Sequence, residues 1–321
     1  MASRFEAPGK STKHKHLEAR LMRTRLKPRF PSAQIALLCT AAVGFGAALP
    51  GAALASGHGP VYGLATPTLG QGGWSVDVAA MYRLTGDLSD GNAQRAMLRP
   101  MVGYGITEDL QASLSIPLPL YTPSVPVPSL ATRMMAMMPS TLDLEFVLSW
   151  RFHRIGVDVG SRIESTAFLG FDYPTDSVRG GIRTSPGFIT GAVTGYASRT
   201  VYAWVGGLYQ RYMTPTANHP GDLVLYSLVL GYRPPFFREE LPHADWRLFI
   251  EGIGEYQFRN VVAGSEVADS GGHQIFVGPT VLGLYGPWGI SGGPLFPVYR
   301  NLNGTQHGDR FRFVVNFTYW F

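Results

Sequence analysis

The sequence predicts an all-β fold, specifically a transmembrane antiparallel up-and-down β-barrel of about twelve strands. Residues 311–321 alternate between apolar or aromatic side chains and mostly polar ones, which is typical of a strand with one apolar face. Gly and Pro number 39 and 24 in 321 residues, which argues against long helices. After residue 55 no apolar run reaches about 18 residues, so helical membrane spans are not expected either.

Residues 1–55 are predicted to be a secretory signal peptide, with Met22 as an alternative start. A basic stretch precedes the apolar residues 35–49, and the small residues Ala53–Ala55 follow, so we expect cleavage near Ala55. The chain's net charge of +5 arises in this leader. The excess of basic residues therefore does not indicate a nucleic-acid partner. The one cysteine, Cys39, also lies in the leader, so the mature chain would contain no disulfide.

Residues 56–73 are rich in Gly, Thr and Pro and are expected to form a periplasmic segment that leads into the barrel, residues 74–321. The predicted strands begin with Trp74–Leu84, and a tight turn at His153–Arg154 is expected between the fourth and fifth. The connections alternate between long and short, as bacterial barrels have long outer loops and short periplasmic turns. The strands are about 74–84, 95–104, 110–116, 142–153, 155–170, 187–198, 201–212, 222–232, 246–258, 273–285, 288–298 and 311–321.

The last strand should pair with the first, which closes the sheet and removes its edges. Phe311, Phe313, Val315, Phe317, Tyr319 and Phe321 would then face lipid. Arg312 and Asn316 would face the lumen. All six Trp residues fall at the periplasmic end of this topology, where an aromatic belt is expected.

Charged side chains on the polar face of the strands should line the lumen, because charges face lipid only at high cost. These residues either pair as struts that fill the barrel or line a conducting path. We expect Glu251 and Glu255 to lie near the constriction. The predicted lumenal residues are Asp77, Arg83, Asp143, Glu145, Arg151, Asp158, Arg162, Glu164, Arg247, Glu251, Glu255 and Arg312.

The loop 117–139 is unusually apolar for an exposed segment, and three roles remain open. It folds into the barrel mouth as a plug, binds an apolar solute, or extends the third and fourth strands. Four methionines in it are either adaptable filler or soft ligands suited to Cu(I). They are Met134, Met135, Met137 and Met138.

No enzymatic activity and no cofactor are expected. Residues 289–293 match G-x-S-x-G around Ser291, but a nucleophile elbow needs a helix after the serine. Here Pro294 and another strand-like run follow. The motif is therefore interpreted as part of a glycine-rich barrel strand.

Three stretches carry a resemblance to a known family: Gly72–Trp74, Tyr104–Leu110 and the closing Phe311–Phe321. On these the mature chain resembles the outer-membrane transporters of the phenol-degradation meta-pathway family. The resemblance implies passage of small, hydrophobic or aromatic compounds across the outer membrane, and supplies no catalytic residues. Residues Trp150–His153 and Phe296–Arg300 are also similar to barrels found near heavy-metal efflux genes.

The sequence therefore predicts an outer-membrane channel or transporter for small compounds. Two alternatives stay open: a barrel linked to heavy-metal (copper) handling, and a sealed structural or binding barrel without transport. The expected partners are outer-membrane lipid, a small-molecule solute, and the barrel-assembly machinery, which would recognise the last strand ending at Phe321. No nucleic-acid partner is expected.

Overall fold

The computed structural model describes residues 59–86, 94–121, 143–174, 178–179, 182–183, 186–213, 218–237 and 243–321. Among these residues, no helix is long and apolar enough to cross a membrane. A single turn of 3-10 helix covers Pro235–Phe237. The strands are β1 (Trp74–Thr85), β2 (Gln94–Gly105), β3 (Leu110–Ser115), β4 (Leu118–Tyr121), β5 (Asp143–Asp158), β6 (Ser161–Pro174), β7 (Val178–Arg179), β8 (Ile182–Arg183), β9 (Gly187–Ala197), β10 (Val201–Tyr212), β11 (Leu223–Tyr232), β12 (Asp245–Gln257), β13 (Val261–Val262), β14 (Ser265–Glu266), β15 (Gly272–Tyr285), β16 (Trp288–Leu302) and β17 (Asp309–Trp320).

Twelve antiparallel strands form a closed barrel, which confirms the predicted fold. β3 and β4 are two parts of one wall strand, interrupted at Ile116–Pro117, and both pair with β2. β7–β8 and β13–β14 are small hairpins within connections. The barrel closes where β1 pairs with β17, and the backbone groups of Trp74 and Phe321 exchange two hydrogen bonds at the end of this seam.

Burial alternates along the strands because the two faces of the wall meet different surroundings. On β12, Leu248 and Ile250 are exposed on the outside, whereas Arg247, Glu251 and Glu255 are buried on the inside. The barrel thus has apolar side chains on its outside and charged side chains on its inside. This distribution is the reverse of that in a water-soluble protein. It is the arrangement that a surrounding lipid phase stabilises.

The two ends of the barrel differ in the length of their connections. We call the end with the turns 106–109, 159–160, 198–200 and 286–287 the short-turn end, although it also carries the longer connection 233–244. The other is the long-loop end. The turn after β5 lies at Val159–Gly160, so the predicted turn at His153–Arg154 is wrong. Gly160 has a φ of 78°, which glycine adopts without strain, whereas His153 and Arg154 continue the strand.

One place in the wall lacks the regular ladder. Val277 of β15 pairs with Phe296 of β16, and the next pair is Val281 with Gly292. Residues 278–280 of β15 and 293–295 of β16, which lie between these two pairs, are not hydrogen-bonded to each other as a ladder. Pro279 and Pro294 lie in this interruption. Proline has no backbone N–H to donate, so neither residue can complete a ladder there.

Candidate functional site

Residues 59–70, which precede β1, lie inside the barrel and not beside it. Val61, Tyr62, Leu64 and Leu69 are at most 3% exposed and belong to the apolar core. We call residues 59–70 the plug. The expectation of a periplasmic segment at 56–73 therefore fails for the plug. Its apolar side chains are covered by inward-facing residues of the wall, which removes them from water.

Residues 61–63 of the plug, which we call its tip, bind one carboxylate, that of Glu251 on β12. The backbone N–H of Val61 donates to Oε1 at 2.8 Å, and those of Tyr62 and Gly63 donate to Oε2 at 2.7 Å each. Thr280 on β15 donates its hydroxyl to the same group. Three consecutive amides pointing at one anion form a backbone nest, and these hydrogen bonds are strengthened by the charge.

The tip also contacts the interrupted part of the wall. The Tyr62 hydroxyl donates to the carbonyl oxygen of Gly293 at 2.5 Å. Gly293 lies opposite Thr280 in the stretch where β15 and β16 are not paired. The plug thus contacts the wall where the β15–β16 ladder is interrupted.

Further anchors come from several other strands. Leu64 N–H donates to Ser227 Oγ on β11 at 3.0 Å, and Leu69 N–H donates to Gln111 Oε1 on β3 at 2.8 Å. Thr66 hydroxyl donates to Glu164 on β6 and accepts from the indole N–H of Trp204 on β10 at 3.1 Å. Because these strands surround the lumen, the plug crosses it.

Trp204 was expected in an aromatic belt at the membrane interface, and this expectation is wrong. It is 1% exposed, and its ring packs against Tyr202 and Phe249 inside the barrel. Trp320 lies on the inner face, as the alternation of the last strand predicts for an even-numbered position, and is 4% exposed. Trp74, Trp150 and Trp288 are exposed on the outside, as a belt requires.

Several predicted lumenal charges form a buried ion network toward the long-loop end. Arg312 binds both carboxylate oxygens of Glu255, at 2.8 and 2.7 Å, and Asp309 at 2.8 Å. Arg83 also binds Asp309, at 2.5 Å. Arg312 lies over the ring of Phe276, 4.0 Å from its centroid. The sequence prediction missed Asp309, because it precedes the alternating part of the last strand.

A second group of charges lies toward the short-turn end. Arg151 pairs with Asp109 at 2.8 Å and with Glu164 at 3.4 Å, and Arg162 approaches Glu164 at 2.9 Å. Arg247 pairs with Asp245 at 3.0 Å. Paired charges of both signs at this density brace the inside of the barrel.

The remaining predicted residues have different positions. Asp77 and Glu145 are buried. The side chain of Asp143 lies outside the described part. Asp158 is exposed at the end of β5, where it accepts a hydrogen bond from Val159 N–H, so its predicted lumenal position is wrong. The shifted turn explains the difference. The sequence pattern placed Asp158 within the strand after the turn, whereas the structure places it at the end of β5, directly before the turn.

A cavity of about 190 Å³ lies between the plug and the inner wall near the short-turn end. Asp77, Asn316, Thr318 and Ser291 contribute a polar side. Ser291, the serine of the G-x-S-x-G match, lies on β16 with Asn316 as its partner on β17. The strand continues beyond it, so no nucleophile elbow forms.

Metal ligation finds no support in the described part of the chain, where no group of three or more His, Cys, Asp or Glu could hold an ion. The four methionines of the apolar loop lie outside the described residues. Leu118–Tyr121, at the start of that loop, pairs with β2 as β4. The first part of the loop thus extends the third wall strand.

Comparison with known proteins supports the fold. No protein-family model and no curated protein matches the sequence. An outer-membrane channel from Pseudomonas putida F1 superposes with a TM-score of 0.54 at 11% identity, covering 80% of this chain and 98% of that one. The NanC porin has a TM-score of 0.47 at 8% identity, covering 76% of this chain and 98% of that one. LpxR from Salmonella typhimurium has a TM-score of 0.40 at 13% identity, covering 77% of this chain and 100% of that one. The chain thus shares the barrel architecture of the Pseudomonas putida channel.

Proposed function

We propose that this protein is an outer-membrane channel for small solutes whose lumen is closed by its own N-terminal plug. The observation that carries the proposal is the path of residues 61–69 through the lumen, with anchors on strands around the wall. An outward apolar surface and a charged interior suit a protein embedded in a bilayer. The shared architecture with an outer-membrane channel supports the same cellular location.

The way in which the plug is attached would allow it to leave the lumen. It is joined to β1 through Gly70–Gly73, where Gly72 has a φ of 74°. It is held by hydrogen bonds and apolar contacts, and it pairs with no strand of the barrel wall. Swinging the plug out at this glycine linker would open the lumen without breaking the sheet.

The solute class follows from the inner surface and from the family resemblance. The lumen combines paired charges of both signs with apolar patches such as Phe249 and Ile253. Balanced charges give no strong preference for anions or cations along the whole path. We propose small compounds with an apolar or aromatic part as the transported class, and no catalytic step.

The same assignment covers processing and partners. We propose that the leader is cleaved near Ala55 and that the assembly machinery of the outer membrane recognises the last strand, ending at Phe321. Lipid would contact the exposed aromatic residues of that strand, such as Phe313 and Phe317.

A sealed binding barrel is the second candidate, because the plug fills the lumen. Planar-bilayer recordings separate the two. We expect rare, brief openings from the wild type and stable, larger currents after deletion of residues 59–69. Heat-dependent gel mobility would establish that both proteins are folded barrels. A folded deletion variant without current would refute the channel and leave the sealed barrel.

A further inference from the structure

The cavity beside the plug has a polar side built from adjoining residues of the β1–β17–β16 wall. Asp77 lies opposite Thr318, and Ser291 lies opposite Asn316 on the next strand pair. Asp77 Oδ1 accepts from the hydroxyl of Thr318 at 2.5 Å and from Nδ2 of Asn316 at 3.3 Å. These side chains therefore form one continuous polar patch.

Asp77 differs from the paired carboxylates of the lumen. Glu255, Asp309, Glu164 and Asp245 each have an arginine partner. Within the described residues, no ion pair reaches Asp77, and the hydrogen bonds to it come from neutral side chains. A buried carboxylate without a cation is costly, so a cationic ligand would be stabilised there.

Asn316 supplies a second, independent indication of a ligand. Its Nδ2 donates to Asp77 and Thr318, which fixes the orientation of the amide. Its Oδ1 is buried and has no hydrogen-bond partner, and Asn316 is one of the residues that line the cavity. A buried acceptor of this kind calls for a donor. Asp77 and Asn316 together would therefore bind a group that is positively charged and carries several N–H donors.

The cavity also has an apolar side, although Ser75, Gln111, Ser113 and Ser149 add further polar groups to its lining. Leu282, Phe168, Met101 and Trp320 line it from the wall, and Val61 and Leu69 line it from the plug. An apolar cavity of about 150 Å³ holds a benzene molecule. The volume of about 190 Å³ thus accommodates one aromatic ring with a short arm.

We propose that this cavity binds a small primary amine with an apolar body, such as an arylalkylamine. The ammonium group donates to Asp77, Asn316 and the hydroxyl of Ser291, and the apolar body packs against Leu282 and Phe168. This site deepens the proposed channel function, on which it rests for the path that brings the solute into the lumen.

Calorimetric titration of the full barrel in detergent tests the site with benzylamine as the probe. Benzyl alcohol and benzoate are the neutral and anionic probes of the same size. We expect saturable binding of benzylamine, at least tenfold weaker binding of benzyl alcohol, and no binding of benzoate. Asp77→Asn should weaken benzylamine binding at least tenfold, because charge-assisted hydrogen bonds are lost. Asp172→Asn changes a buried carboxylate that does not line the cavity, and should leave the affinity unchanged.

Equal binding of benzylamine and benzyl alcohol, or full affinity in Asp77→Asn, would overturn the proposal. Should Asp77→Asn fail to fold, Leu282→Trp fills the cavity from its apolar side and should abolish binding. Persistence of binding in that variant would equally overturn it. The result is separable from the channel function. Current through the plug-deleted barrel with no amine binding to the intact one rejects the site alone, whereas binding without current rejects the channel alone.

Discussion

Replacing Glu251 by Gln should release the plug, because it removes the negative charge to which three plug amides donate. In the best orientation the new amide oxygen accepts from Tyr62 and Gly63, and its NH₂ group faces the N–H of Val61. One hydrogen bond is lost outright, at about 1.5–3 kcal/mol for a bond to a charged group. The other two weaken by about half when the charge disappears.

With the lower end of this range for each bond, the total loss is about 3 kcal/mol, which raises the open fraction of the plug about a hundredfold. Ala65→Cys provides the readout, since Ala65 is a partly buried plug residue and Cys39 is expected to leave with the signal peptide. We expect maleimide labelling of this cysteine to accelerate about a hundredfold in the Glu251→Gln background. Single-channel recordings should show correspondingly longer open times.

Ser227→Ala is the matched control for this experiment. It removes one neutral hydrogen bond, to Leu64 N–H, and should cost about 1 kcal/mol, or roughly a fivefold rise in labelling. The graded order, with Glu251→Gln far above Ser227→Ala, is the signature of charge-assisted anchoring. Unchanged labelling in a folded Glu251→Gln barrel would refute the role of this carboxylate.

Three further results are expected. Arg312→Leu removes the arginine that pairs with Glu255 in a dry interior, and should lower the free energy of unfolding by about 3–5 kcal/mol in urea titrations. Arg259→Leu breaks an exposed pair and should change that free energy by less than about 1 kcal/mol. Similar losses in both variants would contradict the buried network. Brominated lipids should quench a single-tryptophan variant that keeps Trp150 and spare one that keeps Trp320, and the reverse order would contradict the assigned faces. Gly63→Val places a side chain against Val229, so it should open the plug as far as the Glu251 variant does, and a wild-type labelling rate would contradict the tip's close packing.

The wall of the barrel could be predicted from sequence because its determinants are local. Alternation with period 2 is imposed by the pleat of each strand and by lipid on one side, so β17 and β12 have their inner and outer faces where the pattern puts them. The alternation of long and short connections was consistent with an up-and-down barrel and assigned its two ends. The turn at Val159–Gly160 was missed because alternation also runs through His153 and Arg154, and a pattern of faces does not mark where a hairpin reverses.

The plug could not be predicted in the same way, because its contacts are non-local. Tyr62 and Glu251 are 189 residues apart, and residues 59–70 show no strand or helix period. A signal was present in retrospect. Val61, Tyr62, Leu64 and Leu69 are too apolar for a short segment in water, and a barrel interior was the available place to cover them. Trp204 was misplaced for the same reason, since its partner Thr66 belongs to the plug.

The position of the plug directly before β1 has a consequence for assembly. β1 is joined to β2 on one side and to β17 on the other, so the wall becomes a cylinder only when the last strand of the chain arrives. Anchors such as Gln111 and Glu251 lie on strands far apart in the sheet. The plug can therefore complete its contacts only once the last strand has closed the cylinder. Plug insertion is then a final step of folding, and the arrival of the last strand controls when the lumen can be filled.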